Sequence, residues 1–280
     1  MTVHTFLLGI AQDAGVPQAG CACENCAAAR DHPAAGHKVA CLGIADTRAH
    51  RCWLIDATPD FRAQHDQLLQ LAAGCTLNGI FLTHAHIGHY AGLIHLGPEA
   101  MNARGLPLYV TARMAAFLQA NAPWSTLIDR GHVQPRTFAQ ESALSLSDDL
   151  HVTAVRVPHR DEFSDTVAFA VQGPRRRLLY CPDIDAWERW DRDAREYIGD
   201  MDIALVDGSF YSPDEIPGRD IRTIPHPLAT TTAELLSGLS TDVRLIHLNH
   251  TNPLLRAGPE RAWLAAQGVA IGQSGDAWEL

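Results

Sequence analysis

Thr83-His84-Ala85-His86-Ile87-Gly88-His89-Tyr90-Ala91-Gly92-Leu93 is the stretch that decides the fold. It is entered from Gly79-Ile80-Phe81-Leu82-Thr83, an apolar run of strand length, so His84 stands at the end of a buried strand. Side chains alternate along extended backbone, so His84 and His86 point the same way and can reach one cation. A turn after His86 brings His89 beside them. Zinc accepts imidazole nitrogen and carboxylate oxygen at about 2.0–2.2 Å. Three histidines gathered this closely suit a metal better than they suit an ordinary surface loop.

Outward from this loop, strands and helices alternate. Before it the pattern predicts strands over Val3 to Ile10, Lys38 to Ala45 and Cys52 to Asp56. A short helix spans Cys26 to Asp31, and another opens at Pro59-Asp60 with Phe61, Leu68, Leu69 and Leu71 at helical spacing. After it come a helix from Gly92 to Met101, a strand from Leu106 to Val110 and a helix from Thr111 to Gln119. Strands follow at His151 to Val157, Asp165 to Val171 and Arg177 to Cys181. The last third predicts a helix at Ala186 to Tyr197, a strand at Ile203 to Asp207, a helix after Thr230, a strand at Val243 to Leu248 and a helix at Pro259 to Gln267. Such interleaving argues for layered α/β packing. No low-complexity tract, long linker or short repeat divides residues 1–280, so one domain is expected.

The histidine loop resembles the His-x-His-x-Asp-His metal motif of the metallo-β-lactamase superfamily. The resemblance implies a four-layer αββα sandwich and a set of further ligands. The third histidine of the first metal, beside His84 and His86, falls on His159 after Val155-Arg156-Val157-Pro158. The bridging carboxylate falls on Asp183 after Leu178-Leu179-Tyr180-Cys181-Pro182, with Asp185 as a competitor. The last histidine falls on His247 after Arg244-Leu245-Ile246. Asp56, ending Trp53-Leu54-Ile55, matches a carboxylate that orients the histidine loop without binding metal. Where the family motif has its Asp, this sequence has Gly88. The second site is left with His89, Asp183 and His247, so it is expected to be weaker, differently metallated or empty, and Gly88→Asp is expected to raise its occupancy.

Cys21-x-Cys23-x-x-Cys26 supplies three thiolates, and a tetrahedral structural zinc needs a fourth ligand. His250, in His247-Leu248-Asn249-His250-Thr251-Asn252-Pro253, is the candidate; a merely reactive or buried cysteine group is the alternative. On extended chain a separation of three puts His247 and His250 on opposite sides, one for each centre. Together with Gly15-Val16-Pro17-Gln18 and Thr58-Pro59-Asp60-Phe61-Arg62, these segments resemble one branch of the superfamily. That branch contains pyrroloquinoline quinone biosynthesis protein B and the phosphoribosyl cyclic phosphodiesterase of phosphonate breakdown, and carries a cysteine-rich structural zinc. Cys41, Cys52, Cys75 and Cys181 flank apolar runs and read as small buried hydrophobes.

Bulk properties narrow the function. The 280 residues are 46% hydrophobic and 19% charged, enough for a substantial core. A formal charge of −10 argues against a nucleic-acid surface, though a bound metal can still attract a small anionic substrate. No run approaches the ~20 apolar residues that span a bilayer. Phe6-Leu7-Leu8-Gly9-Ile10-Ala11 reads as a strand and not a signal peptide. Seven cysteines, three of them crowded together, favour a reducing cytoplasm over a disulfide framework.

The leading expectation is hydrolysis of a small ester or cyclic phosphodiester by a metal-activated hydroxide, with one or two divalent ions (zinc, manganese or iron) in the active site. Asp183 would bridge or orient the nucleophile. His226, in Ile224-Pro225-His226-Pro227-Leu228, is read as a proton donor, a substrate contact or a structural loop residue. Asp207 is read as a supporting carboxylate, and Arg160 and Arg62 as anion contacts. Two rivals stand beside this: an iron-dependent oxygenase in pyrroloquinoline quinone-type cofactor biosynthesis, which Gly88 favours, and a non-catalytic metal-binding protein. A small-molecule substrate is the expected partner, and a homodimer is compatible with the sequence.

Overall fold

Every second side chain of a strand faces the same way, and here both faces of the strands are apolar. The computed structural model describes residues 3–216, 218 and 220–280. The strands are β1 (Val3–Gly9), β2 (Cys41–Asp46), β3 (Arg51–Ile55), β4 (Thr76–Phe81), β5 (Leu106–Val110), β6 (Val133–Thr137), β7 (Ala143–Ser145), β8 (His151–Arg156), β9 (Val167–Gln172), β10 (Arg177–Cys181), β11 (Ile203–Asp207), β12 (Asp242–Ile246), β13 (Ala270–Ile271) and β14 (Ala277–Glu279). One sheet runs β14-β1-β2-β3-β4-β5-β6 and the other β13-β12-β11-β10-β9-β8-β7.

Leu7, Leu42, Ile44, Trp53, Ile55 and Phe81 of the first sheet face the second and share its core with Val155, Phe169 and Leu179. Phe81 stacks on Tyr109 at 4.5 Å and meets Phe169 edge-on at 5.3 Å, joining the sheets. The alternate residues, among them Leu8, Leu54 and Ile80, pack outward with Phe61 and Leu68 of α2 (Phe61–Leu71) and Met114 and Leu118 of α4 (Ala112–Ala120). On the far side Ile198 of α6 (Ala194–Gly199), Ala233 of α7 (Ala229–Leu236) and Leu264 of α8 (Pro259–Ala266) cover the second sheet. The result is the expected αββα sandwich. The remaining helices are α1 (Glu24–Asp31), α3 (Ile87–Tyr90) and α5 (Trp124–Asp129). No helix among the described residues is long and apolar enough to cross a membrane.

Several expected elements are shorter. The strand expected from Lys38 begins at Cys41, because the Lys38 carbonyl accepts from Ile10 and Ala11 instead of pairing in the sheet. The helix expected over Gly92 to Met101 is only a 3-10 segment, Ala91–Leu96, after α3, and Gly97-Pro98 stops it. The helix expected over Ala186 to Tyr197 breaks into a 3-10 turn, Trp187–Arg189, and α6, which restarts where the Asp193 carboxylate accepts from Glu196 N–H at 2.9 Å.

Strand direction positions the site. β3, β4 and β5 are parallel, as are β10, β11 and β12, and β8 lies two antiparallel steps from β10. Their C-terminal ends therefore share one edge, where loops are free to carry side chains inward. The two sheets are tied together there by main chain: Val167 N–H donates to Thr83 O at 3.1 Å, Leu248 N–H to Ile10 O at 2.8 Å, and Gln12 N–H to Leu248 O at 2.9 Å.

Candidate metal centre

The histidine loop is fixed from behind. Both Thr83 N–H and Thr83 Oγ1 donate to Asp56 Oδ1, at 2.9 and 3.0 Å, so a buried carboxylate anchors the residue before His84. Asp56 Oδ2 lies 2.7 Å from His89 Nδ1, and the His84 Nδ1 is 3.0 Å from Thr83 Oγ1. Each contact occupies one ring nitrogen and turns the other, Nε2, toward the pocket. This matches the expected orienting role of Asp56. Its own backbone takes φ +71°, a left-handed conformation that costs about 1–3 kcal/mol outside glycine.

Two donor groups form, and Asp183 joins them. His84, His86 and His159 converge first, with His86 Nδ1 3.2 Å from His159 Nε2. In the second group His89 Nε2 is 3.1 Å and His247 Nε2 3.3 Å from Asp183 Oδ2. The other oxygen, Asp183 Oδ1, lies 3.5 Å from His159 Nε2. Ligands about 2.1 Å from a tetrahedral ion stand about 3.4 Å from one another, and these separations fit that spacing. Asp185, the competitor, is placed elsewhere: its Oδ1 lies 3.0 Å from His159 Nδ1, the outward nitrogen, and its Oδ2 accepts from Arg189 at 2.9 Å.

Four of the pocket's polar atoms have no protein partner. His84 Nε2, His89 Nε2, His247 Nε2 and Asp183 Oδ2 are buried without a hydrogen bond. Leaving such atoms unsatisfied costs about 1–3 kcal/mol each, and one kind of guest, a divalent cation, would satisfy all of them. Charge agrees. Burial holds His84 well below the usual histidine pKa and pushes His86 down to about 4, and it lowers His247 as well, so their lone pairs are free. Burial also opposes charge on His89, but Asp56 and Asp183 overcome it and push its pKa well above the usual histidine value.

Sequence reading missed Asp13. It follows the first strand on a loop, far from the motif, and no spacing rule links it to His89. Its Oδ1 lies 3.5 Å from His89 Nε2, is buried without a hydrogen bond, and belongs to a group with His89 and His247. A further carboxylate thus stands beside the three expected donors of the second group.

His226 sits at the pocket's rim. Its ring centre is 5.3 Å from that of His159, and Nδ1 is 2.7 Å from Asp207 Oδ2. Burial opposes its charge, yet Asp207, with Asp183 beyond it, raises the pKa to about 9. Asp207 also accepts from the main-chain N–H of Ile184 and Ser209, tying the Asp183 loop to the His226 ring. Arg160 Nη2 reaches within 3.5 Å of His86 Nε2, whereas Arg62 is exposed on α2.

Cys21, Cys23, Cys26 and His250 form a separate group. His250 Nδ1 is 3.3 Å from Cys21 Sγ and 3.4 Å from Cys23 Sγ, against about 3.5 Å for nitrogen and sulfur on a tetrahedral zinc. The pairing of His247 with one centre and His250 with the other is as expected, but the reason differs. β12 ends at Ile246, and His247 turns left-handed at φ +60°. A turn, not strand alternation, separates the two rings.

The β-lactamase superfamily domain matches residues 51–251 of the chain. Coenzyme PQQ synthesis protein B of Azotobacter vinelandii is 27% identical, over 98% of this chain and 98% of that protein. The zinc-bound structure of PqqB from Methylobacterium extorquens superposes with a TM-score of 0.83 at 23% identity, covering 99% of this chain and 100% of the other. A diphosphatase of the PhnP family gives a TM-score of 0.71 at 21% identity, covering 100% and 98%. The strand order, the loops that converge at one sheet edge and the extent of the match agree: the chain belongs to the β-lactamase superfamily.

Proposed function

We propose that this protein is a metal-dependent hydrolase of small esters or phosphodiesters, cyclic ones included. The observation that carries the reading is Asp183, one carboxylate shared by two adjoining groups of converging donors. His84, His86 and His159 would hold one divalent ion (zinc, manganese or iron), His89 and His247 a second, and Asp183 would touch both. Such ions, when bound, supply Lewis acidity and a nucleophile derived from water near neutral pH.

The chain's own groups account for the rest. Asp183 fixes the spacing of the two groups and orients whatever lies between them. His226 keeps a proton on Nδ1 against Asp207 Oδ2, and its pKa of about 9 leaves the ring doubly protonated at neutral pH. It can therefore give a proton to a departing oxygen and be re-protonated by solvent, an effect worth about 10²–10⁴-fold. Arg160 beside His86 supplies positive charge for an anionic substrate. A cavity of about 390 Å³ adjoins the centre at His159 and is lined by both signs of charge, Arg156, Arg160 and Arg189 beside Asp161, Asp165, Asp185 and Asp191. The diphosphatase neighbour supports a phosphate-bearing substrate, and the PqqB relatives leave a role in cofactor synthesis beside it. The thiolate group would carry a structural zinc. Seven free cysteines support a reducing compartment, consistent with the cytoplasm.

The test is turnover by protein stripped with chelator and reloaded with zinc or manganese, offered bis(4-nitrophenyl) phosphate, 2′,3′-cyclic nucleotides and 4-nitrophenyl acetate. Hydrolysis abolished by Asp183→Ala is expected. Oxygen uptake by the ferrous form without any hydrolysis would overturn the proposal in favour of an oxygenase.

A further inference from the structure

We propose that Asp13 is a protein ligand of the second metal site, occupying the volume into which a side chain at position 88 would project. Two independent observations meet here. The first is the donor group itself: Asp13 Oδ1, His89 Nε2 and His247 Nε2 lie within one ion's reach, with Asp13 3.5 Å from His89. All three atoms are buried and lack a hydrogen bond. The second is steric. A Cβ added to Gly88 would fall 2.1 Å from Asp13 Oδ1, 2.6 Å from Asp13 Cα and 2.9 Å from Asp13 Cβ. Real Cβ atoms do not approach that closely, so a side chain at 88 and the one at 13 exclude each other.

Gly88 is thus the counterpart of Asp13. Its φ is not left-handed, and what requires glycine is the close approach of the Asp13 chain to α3. The carboxylate that the sequence motif lacks at 88 arrives from another loop, on a rigid mount. Ala11 bridges to both Val39 and Leu248, Gln12 N–H donates to Leu248 O, and Gly15 N–H closes a turn on Gln12 O at 2.8 Å with φ +67°. The same Leu248 follows His247, so two of the donors are held by one pair of crossing main chains. The expectation that Gly88→Asp simply adds a ligand is replaced: that side chain would compete with Asp13 for one space.

This inference rests on the metal-binding part of the reading above and not on hydrolysis, so its test reads metal alone. Apoprotein of full length is titrated with Mn²⁺ and with Zn²⁺, followed by elemental analysis and, for Mn²⁺, by the spin-coupled paramagnetic resonance signal of a paired site. Wild type is expected to hold two ions at the histidine–aspartate centre. Asp13→Ala should hold one, the ion of His84, His86 and His159, with second-ion affinity reduced at least about tenfold and the coupled signal lost. Gly88→Ala changes no ligand, yet its methyl group should displace Asp13 and weaken the second ion in the same way. The exchange variant Asp13→Gly with Gly88→Asp should recover two ions and the coupled signal, which separates ligation from misfolding. Full second-ion affinity in Asp13→Ala, a single ion in wild type, or an exchange variant no better than Asp13→Ala would each overturn the assignment. If the metal results hold and no ester is cleaved, the hydrolase reading fails and Asp13 stands.

Discussion

The imidazole–carboxylate centre and the thiolate group share the segment His247–His250, yet they are held in different ways. In the deep centre, outward nitrogens are secured from behind: Asp56 faces His89, Asp185 faces His159, and Ser209 Oγ lies 2.9 Å from His247 Nδ1. Around the thiolates the supports are mostly main chain. Gln18 N–H donates to Cys26 Sγ at 3.2 Å, Arg30 donates to Gln18 O at 2.8 Å, and Asn25 Nδ2 donates to His250 O at 2.9 Å. The deep donors are each backed by a neighbouring side chain. The shallow ones lie on a loop with few apolar contacts, where Val16 and Ala29 make only a small cluster with Ala11. On the proposed function, the difference would separate a centre for chemistry, which needs its geometry fixed in advance, from one whose ion completes the local fold.

Four experiments bear on that contrast. His84→Ala should have the largest effect. It removes a ligand outright, so the first ion and turnover should both be lost, while the thiolate zinc stays; elemental analysis beside a hydrolysis assay checks it. Cys23→Ala should do the reverse, losing the thiolate zinc and lowering the melting temperature, by roughly 2–4 °C per kcal/mol at this size, while the ion of His84, His86 and His159 remains. If each variant lost both metals, the division into two centres would collapse. Asp56→Asn should be milder, weakening metal at His89 by about 10–100-fold with the fold intact, since it alters a supporting contact; competition with a metal-binding dye would measure this. Asp185→Asn should have the smallest effect, below that of Asp56→Asn in the same assay. Of the donor histidines its carboxylate touches only His159, its other oxygen accepting from the exposed Arg189, whereas Asp56 holds Thr83 and His89 together.

Much of the site was legible because strand ends are easy to find. His84, His86, His159, Asp183 and His247 all follow apolar runs that end at one edge of the sandwich, and the sequence pattern marks each run. The choice between Asp183 and Asp185 was not legible, because both follow β10 and only the turn after Pro182 decides which one faces inward. Asp13 was hidden for a different reason: its role depends on packing between residues 75 positions apart, and no periodicity records that Gly88 has left room for it. In the fold, the long alternations were clear, while β6, β7, β13 and β14 were overlooked. These are short or polar edge pieces; β6 contains Pro135 and exposes Gln134 and Arg136. The expected long helices failed at Gly97-Pro98 and at the Asp193 cap, where local chemistry outweighed apolar spacing.

The crossing of Ile10–Gln12 with Leu248 makes the chain a closed circuit: from Asp13 through the cysteines to His250, and back along three residues to His247. A circuit with a donor cluster at each end gives the two a common main-chain support. If zinc seated among the thiolates restrains both arms that reach into the deep pocket, then by reciprocity an ion between Asp13 and His247 would tighten the thiolate site by the same factor.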